Sequence, residues 1–268
     1  FEMPKISVLM AINKKTPYLD KAINSILNQT FKEFEFIIIA NGCDDDLYYL
    51  LNAYSRKDSR IILHRTELGG FAFALNYGLN LATTEYIARM DGDDLCTIDR
   101  LQKQYDIIKN NKSLSLLGTA CNFIGPNDEE ILSKNFKILT DNGAIRRALP
   151  YRNPIIHASI ICRKDVLLSA GGYRYGHMSE DHELFIRLAR DKNVIFMNTI
   201  EPLYSYRRHH MQVTDLSKSK ESYAQISAFL FSEFLLTHNY KYIIGILRVH
   251  PYIRKMHNFF KRKFHNAK

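Results

Sequence analysis

"KISVLMAINKKTPYLDKAINSILNQTFKEFEFIIIA", residues 5–40, sets two short apolar runs rich in β-branched residues, 5–12 and 34–40, around a segment, 18–29, whose apolar positions recur at helical spacing. Runs of that length fit strands, and the period between them fits a helix. Strand, helix, strand implies a right-handed crossover between parallel neighbours. The rhythm repeats. "RIILHR" (60–65) and "EYIARM" (85–90) are strand-like, while "LYYLLNAYSRK" (47–57) and "FAFALNYGLNLA" (71–82) are helical. The first hundred residues therefore predict an α/β fold with a mainly parallel sheet flanked by helices.

Such sheets bind ligands at the carboxyl ends of their strands. Asn13, Asn41 and the "DGDD" cluster (91–94) each follow a predicted strand, so three polar sites distant in sequence converge on one edge. Asp91, Asp93 and Asp94 repel one another, and a divalent cation or a hydrogen-bond network is needed to balance them. The competing reading is a solvated turn, which Asp and Gly both favour. A solvated turn does not account for the convergence.

Beyond residue 110 the pattern is mixed. "LSLLGTACNFIG" (114–125), "IIHASIICR" (155–163), "VIFMN" (194–198) and "LYSYRR" (203–208) read as strands. "EDHELFIRLARD" (180–191) reads as an amphipathic helix with Leu184, Phe185 and Leu188 on one side. "SYAQISAFLFSEFLLTHN" (222–239) is the longest helical candidate, its apolar residues assigned to core. No internal repeat or low-complexity segment is visible.

The 268 residues, 46% hydrophobic and 24% charged, suffice for a substantial core and exclude a disordered chain. Cys43, Cys96, Cys121 and Cys162 lie far apart without CxxC spacing. That excludes a zinc or disulfide framework, fits a reducing compartment and places them in or near the core. No signal peptide is expected, since "KISVLMAI" is short and leads into polar sequence, and Phe1 and Glu2 read as additions ahead of Met3. No membrane span is expected either, because "YIIGIL" falls far short of roughly 20 apolar residues.

Eight of the nine net positive charges lie after His238, where no Asp or Glu occurs. This tail interleaves Tyr, Ile, Leu and Phe with Lys and Arg, a composition suited to a helix in a membrane interface against anionic lipid. Two other readings stay open, nucleic-acid binding and a solvated helix packed on its own domain. Pro251 would divide it into two pieces.

The order of motifs resembles that of family 2 glycosyltransferases of the GT-A fold, of the type that assembles bacterial O-antigen and capsular polysaccharide. The resemblance is carried by "ISVLMAIN", "AINSILNQTFKEFEFIII", "GFAFALNYGLNLATTEYIARMDGDDLCTIDRLQKQ", "NPIIHASIICRKDVLLSAGGY", "EDHELFIRLA" and "LYSYRRHHMQVT", in order over about residues 4–215. It implies that Asp93 is a direct ligand of Mn²⁺ or Mg²⁺, with Asp91 serving the metal or the ribose, Gly92 lining the donor and Asp94 orienting the loop. It also implies that Arg207 and His209 lie near the diphosphate and that Asp181, with Glu180 as alternate, is the catalytic base. One base and a metal-held leaving group imply inversion at the anomeric carbon. Where the family reads D-D-G-S, this chain has Ala40, Asn41, Gly42 and Cys43. Asn41 can still accept from and donate to uracil. Ala11, Asn13, Gly70 and Asn76 complete the implied donor pocket, and His157 is implied near a sugar hydroxyl.

The resulting expectation is a glycosyltransferase domain over 1–239, with a donor half at about 4–110, a mixed acceptor half at about 111–215, and a basic amphipathic tail over 240–268. The expected reaction moves a hexose from a nucleoside diphosphate sugar, UDP-galactose or UDP-glucose preferred, to a lipid-linked oligosaccharide at the cytoplasmic face of the cell membrane, with the tail on the membrane. The alternatives are a sugar-nucleotide nucleotidyltransferase and a basic nucleic-acid-binding protein. The first lacks a Gly-rich basic phosphate loop after the first strand, and the second leaves "DGDD" unexplained and a body of net charge only +1. No nucleic-acid partner is expected.

Overall fold

The computed structural model describes residues 3–132, 138–174, 179–209 and 220–250. The opening crossovers form as expected: β1 (Ile6–Ile12), α1 (Leu19–Leu27), β2 (Phe34–Asn41), α2 (Asp45–Lys57), β3 (Ile61–Thr66), α3 (Phe71–Leu81) and β4 (Tyr86–Arg89). β1 pairs in parallel with β2 and β4, and β2 with β3. After the acidic turn come β5 (Leu95–Cys96), α4 (Arg100–Asn110), β6 (Leu114–Ile124), β7 (Glu130–Ile131), α5 (Asn142–Ala148), a 3-10 turn (His157–Ser159), β8 (Ile161–Arg163), α6 (Lys164–Ser169), α7 (Glu180–Leu188), β9 (Ile195–Arg207), α8 (Lys220–Thr237) and α9 (Lys241–Val249). One sheet runs β3-β2-β1-β4-β8-β6-β9-β5, with β7 paired to β6.

The continuous apolar runs make sense because both faces of the sheet are covered. Ile6, Val8 and Met10 of β1 join one core with α1, α2 and α4, while Leu9 points into a second core with α3, α7 and α8. Asp44 starts α2 by accepting the Leu47 N–H at 2.9 Å. Cys43 and Cys162 are buried, Cys96 and Cys121 half-buried, and all four are free thiols.

Three expectations change. Residues 155–163 are not one strand: the backbone turns at His157–Ser159, where the Ser159 hydroxyl donates to the Ile156 carbonyl at 2.9 Å, and only Ile161–Arg163 pairs. The two strands at 194–198 and 203–208 are one, β9, whose register against β6 slips near Thr119–Cys121 to absorb residues up to Pro202. α7 is not one-sided: every residue from His182 to Leu188 is buried, with Glu183 and Arg187 paired to each other inside.

α9, the opening of the segment read as a tail, is packed structure. Tyr242 and Gly245 are buried, and a Cβ on Gly245 would lie 2.0 Å from the Pro150 carbonyl oxygen. The remainder of that segment, 251–268, lies outside the described residues.

Candidate active site

β4 delivers the acidic turn to the carboxyl edge of the sheet, and β9 runs past it. Asp94 is 1% exposed and accepts the Tyr204 hydroxyl at 2.9 Å and the Arg207 N–H at 2.7 Å. The same Tyr204 oxygen accepts the Asp91 N–H at 3.3 Å, so one hydroxyl ties both ends of the turn. Burial, then the charges of Asp93 and Asp91, hold the Asp94 carboxyl well above the usual range. Asp94 orients the loop, as expected, and it does so from inside.

Asp91 and Asp93 are the more open acids. Asp91 pairs with the Arg89 guanidinium, which also donates to the Leu9 and Met90 carbonyls at 2.8 Å each. Asp93 lies 2.9 Å from His209 Nε2. Its carboxyl is pushed upward by burial and by Asp91, while His209 pulls it the other way.

Arg89, Arg100 and Arg207 are the largest side chains fully shut away from solvent, and all three contact this turn or its flanks. Arg100 donates to the Arg89 carbonyl at 2.8 Å and sits over the Tyr204 ring. Arg207 donates to the carbonyls of Asp93 and Gly125 at 2.8 Å, pairs with Asp128 at 2.6 Å and lies over the Tyr18 ring. In this geometry Arg207 braces the loop rather than presenting a cation to a diphosphate. Of the three arginines, Arg89 meets the charge of the carboxylate cluster directly through Asp91, while Arg100 and Arg207 hold the backbone around the turn.

Two implied donor-pocket amides are likewise turned inward. Asn41 is 2% exposed; its Nδ2 donates to the Ile12 carbonyl at 3.2 Å and its Oδ1 accepts the Gly70 N–H at 3.0 Å. Asn76 donates to the Tyr173 carbonyl at 2.7 Å and accepts the Tyr173 N–H at 2.8 Å, clamping the turn after Gly172 onto α3. Both fix loops around the pocket and neither leaves an amide atom free of the backbone. Asn13 is exposed just past β1, and Ala11 and Gly92 are half-buried near it.

On the other flank α7 begins at Ser179, whose left-handed backbone (φ 61°) is costly for a residue other than glycine and sets the direction of the helix start. Asp181 accepts the His182 N–H at 2.7 Å and the Asn153 amide at 2.8 Å. Burial, opposed by those hydrogen bonds and joined by the charge of Asp91, pushes its carboxyl up to about 6. Burial and the adjacent Asp181 push Glu180 up to about 7. Asp91 acts on both carboxyls, which places the α7 acids and the β4 acids in one electrostatic site. Carboxylates with values this close to neutrality can accept a proton at working pH.

His157 lies behind this site. Its Nε2 is 2.7 Å from the Tyr173 hydroxyl, its ring packs near Phe71 and Phe185, and burial followed by the Arg89 charge holds it well below its usual range. It is a neutral, packed histidine, not one reaching for a sugar.

Among the described residues no group of three or more His, Cys, Asp or Glu is spaced to hold a metal by itself. The Asp93–His209 pair nonetheless suits Mn²⁺ or Mg²⁺. Such ions bind through one or two protein groups and take their remaining ligands from phosphate and water, and Mn²⁺ accepts a mixed oxygen and nitrogen set.

Sequence reasoning missed Arg89, Arg100, Asn153 and Tyr204. A signal existed for Arg89: one arginine inside an otherwise apolar strand must be paired if that strand is buried. Arg100, Asn153 and Tyr204 carried none, because their partners come from distant elements.

Comparison with known proteins agrees with the geometry. A family model described as glycosyl transferase family 2 matches residues 7–168. The chain is 38% identical over 232 residues to the O-antigen biosynthesis glycosyltransferase WbnJ of Escherichia coli, covering 86% of this chain and 89% of that one. It is 28% identical over 185 residues, 68% of each chain, to the amylovoran biosynthesis glycosyltransferase AmsE of Erwinia amylovora. Among solved structures, S. aureus TarS 1–349 in complex with UDP-GlcNAc superposes with a TM-score of 0.68 at 18% identity, over 86% of this chain. The chain spans only 66% of that structure's length. The mannosyltransferase PcManGT of Pyrobaculum calidifontis, solved with GDP-Man and Mn²⁺, gives 0.66 at 14% identity, over 94% of this chain and 70% of that one. The fold is GT-A, and the chain belongs to glycosyl transferase family 2.

Proposed function

We propose that this chain is an inverting, metal-dependent hexosyltransferase. It would transfer sugar from a uridine diphosphate donor to a lipid-linked oligosaccharide in bacterial O-antigen or capsule synthesis, at the cytoplasmic face of the membrane. The observation that carries the reading is the meeting of two groups of acids: Asp91, in the same turn as the Asp93–His209 pair, raises both carboxyls of the half-buried Glu180 and Asp181. A leaving diphosphate accumulates negative charge as its bond to the sugar breaks, and a divalent ion held at Asp93 supplies fixed positive charge there. The acceptor hydroxyl is a poor nucleophile until its proton is taken, and Asp181, oriented by Asn153 and the His182 N–H, is the base. With one base and no nucleophile from the chain, displacement inverts the anomeric carbon.

The O-antigen assignment of WbnJ and the UDP-GlcNAc bound to TarS support a uridine donor and a cell-surface glycan product. The basic tail suits an acceptor held in lipid. Titration of UDP, GDP and dTDP with Mn²⁺ or with EDTA, on wild type and Asp93→Ala, tests the donor half. UDP binding that requires metal and is lost in Asp93→Ala supports it; metal-independent UDP binding, unchanged in the variant, overturns it.

A further inference from the structure

α8 is apolar on two opposite sides. Phe229 and Leu230 face the body, and its buried Glu233 pairs with Arg190. Its outward stripe, Ala228, Phe231, Ser232, Leu235 and Leu236, follows i, i+3, i+4, i+7, i+8 spacing and has no charge. Phe231, Leu235 and Leu236 are 48, 55 and 62% exposed. A helix face in water normally carries charge, so an apolar one marks a contact surface.

α9, packed against α8, exposes two further large apolar side chains, Tyr240 just before it and Leu247 within it, 65 and 50% exposed. Cations border it. Between α5 and α9 lies a cavity of about 230 Å³ lined by Arg147, Pro150, Lys241 and Tyr242, and Arg248 sits 4.5 Å from the Tyr151 ring. Among the described residues Arg147, Lys241 and Arg248 have no ion pair, whereas Arg146 beside them is spent on the Ala189 and Asp191 carbonyls. No acid follows Glu233 in the sequence, and residues 251–268 add six Lys or Arg.

We propose that the α8–α9 face docks on an anionic phospholipid bilayer. Phe231, Leu235, Leu236, Tyr240 and Leu247 enter the headgroup region while Arg147, Lys241 and Arg248 meet lipid phosphates. Charge complementarity selects this occupant. A second copy would bring the same cations together, and the chain's own 251–268 segment would set six more positive charges against them. An anionic bilayer satisfies both parts of the surface at once. The inference rests on the reading that the acceptor is lipid-held, and it extends the membrane contact from the basic tail, whose opening is α9, onto α8 and α5 of the packed body.

The test is co-sedimentation of the full-length chain with phosphatidylcholine vesicles containing or lacking phosphatidylglycerol. Wild type is compared with Leu235→Ser/Leu236→Ser and with Arg147→Ala/Lys241→Ala/Arg248→Ala. All five positions lie outside the proposed catalytic machinery. The expected results are at least about 10-fold weaker partitioning for the leucine variant and on the order of 100-fold for the charge variant. UDP titration on the same samples should be unchanged. Equal partitioning by all three proteins overturns the proposal, as does a wild-type dimer in light scattering that the leucine variant converts to monomer. Failure of UDP binding in wild type would instead count against the donor reading and leave the vesicle result to stand.

Discussion

Replacing Asp181 by Asn should end transfer and, at alkaline pH, make the protein more stable. In the fold this carboxyl is pushed from 3.8 to about 6, chiefly by burial. Two units at 1.36 kcal/mol each come to about 3 kcal/mol. The native state holds the proton more tightly than the unfolded chain, so this stabilisation is complete below about pH 4 and lost as pH rises through 6. Asparagine does not ionise and suffers no such loss. It does turn an NH₂ toward one of the two donors that the carboxylate now accepts, His182 N–H or Asn153 Nδ2, at a cost of about 1 kcal/mol. The net gain is about 2 kcal/mol at pH 8, or roughly 4–8 °C in Tm for a chain of this size, and at pH 4, where the wild-type carboxyl keeps its proton, it turns into a loss of about 1 kcal/mol. Removing the Asp181 charge also lets Glu180 ionise more readily, which adds to the gain. Thermal unfolding at pH 4 and pH 8 in EDTA reads the stability, and turnover should fall by about 10²–10⁴. A variant no more stable than wild type at pH 8 would refute the claim that this carboxylate is held under strain for use as a base.

Tyr204→Phe removes the hydroxyl that donates to Asp94 and accepts from Asp91, leaving a buried carboxylate with one donor fewer. Urea unfolding should show a loss of about 1–3 kcal/mol, with weaker metal-dependent UDP binding as the turn loosens; unchanged stability would mean Asp94 is held by other contacts. Gly172→Ala forces a side chain onto a left-handed backbone (φ 63°) and places its Cβ 2.3 Å from Asn76 Oδ1, so stability should fall by about 2 kcal/mol or more. Gly245→Ala meets the Pro150 carbonyl at 2.0 Å and should undock α9, read as faster proteolysis between residues 237 and 250. Wild-type kcat/KM should rise through pH 6–7 as the α7 carboxyls ionise, and a flat profile over that range would exclude them as the base.

The parallel half of the fold was legible because β1, β2 and β4 are buried on both faces and their apolar runs are nearly continuous, broken within by Ser7 and Glu35 and ending in Asn41 and Arg89, with helical spacing between. β8 and β9 were harder for a specific reason. β8 is three residues entered from a 3-10 turn, and β9 crosses Pro202 by a register slip, so neither presents the period of a regular strand. At the site, strand ends located Asp91, Asp93 and Asp94 at one edge, and the family resemblance added Asp181 and His209, but neither could say which polar groups face inward. Arg207, Asn41, Asn76 and His157 all stand where expected in the chain. Their side chains bond to partners 16 to 114 residues away, and such pairings are set by packing, not by local pattern.

The replacement of an acid by Asn41 now has a physical account. At this position the side chain must donate to the Ile12 carbonyl and accept from the Gly70 N–H at the same time. An amide does both, whereas a carboxylate has no proton to give and would repel the Ile12 oxygen. Asn41 therefore couples the end of β1 to the start of α3, and the loop pair bounding the nucleotide side of the site is fixed by an uncharged link. Among the implied donor-pocket residues Asn13 is the one left exposed at that edge, with Ala11 half-buried before it. The ionisable groups of the turn that stay partly open or face one another there are Asp91, Asp93 and His209. Because Arg89 already pairs with Asp91 from within and Asp94 is held by Tyr204 and the Arg207 N–H, negative charge alone does not argue for a metal there. That argument rests on the two groups that are both able to ligate and placed face to face, Asp93 and His209.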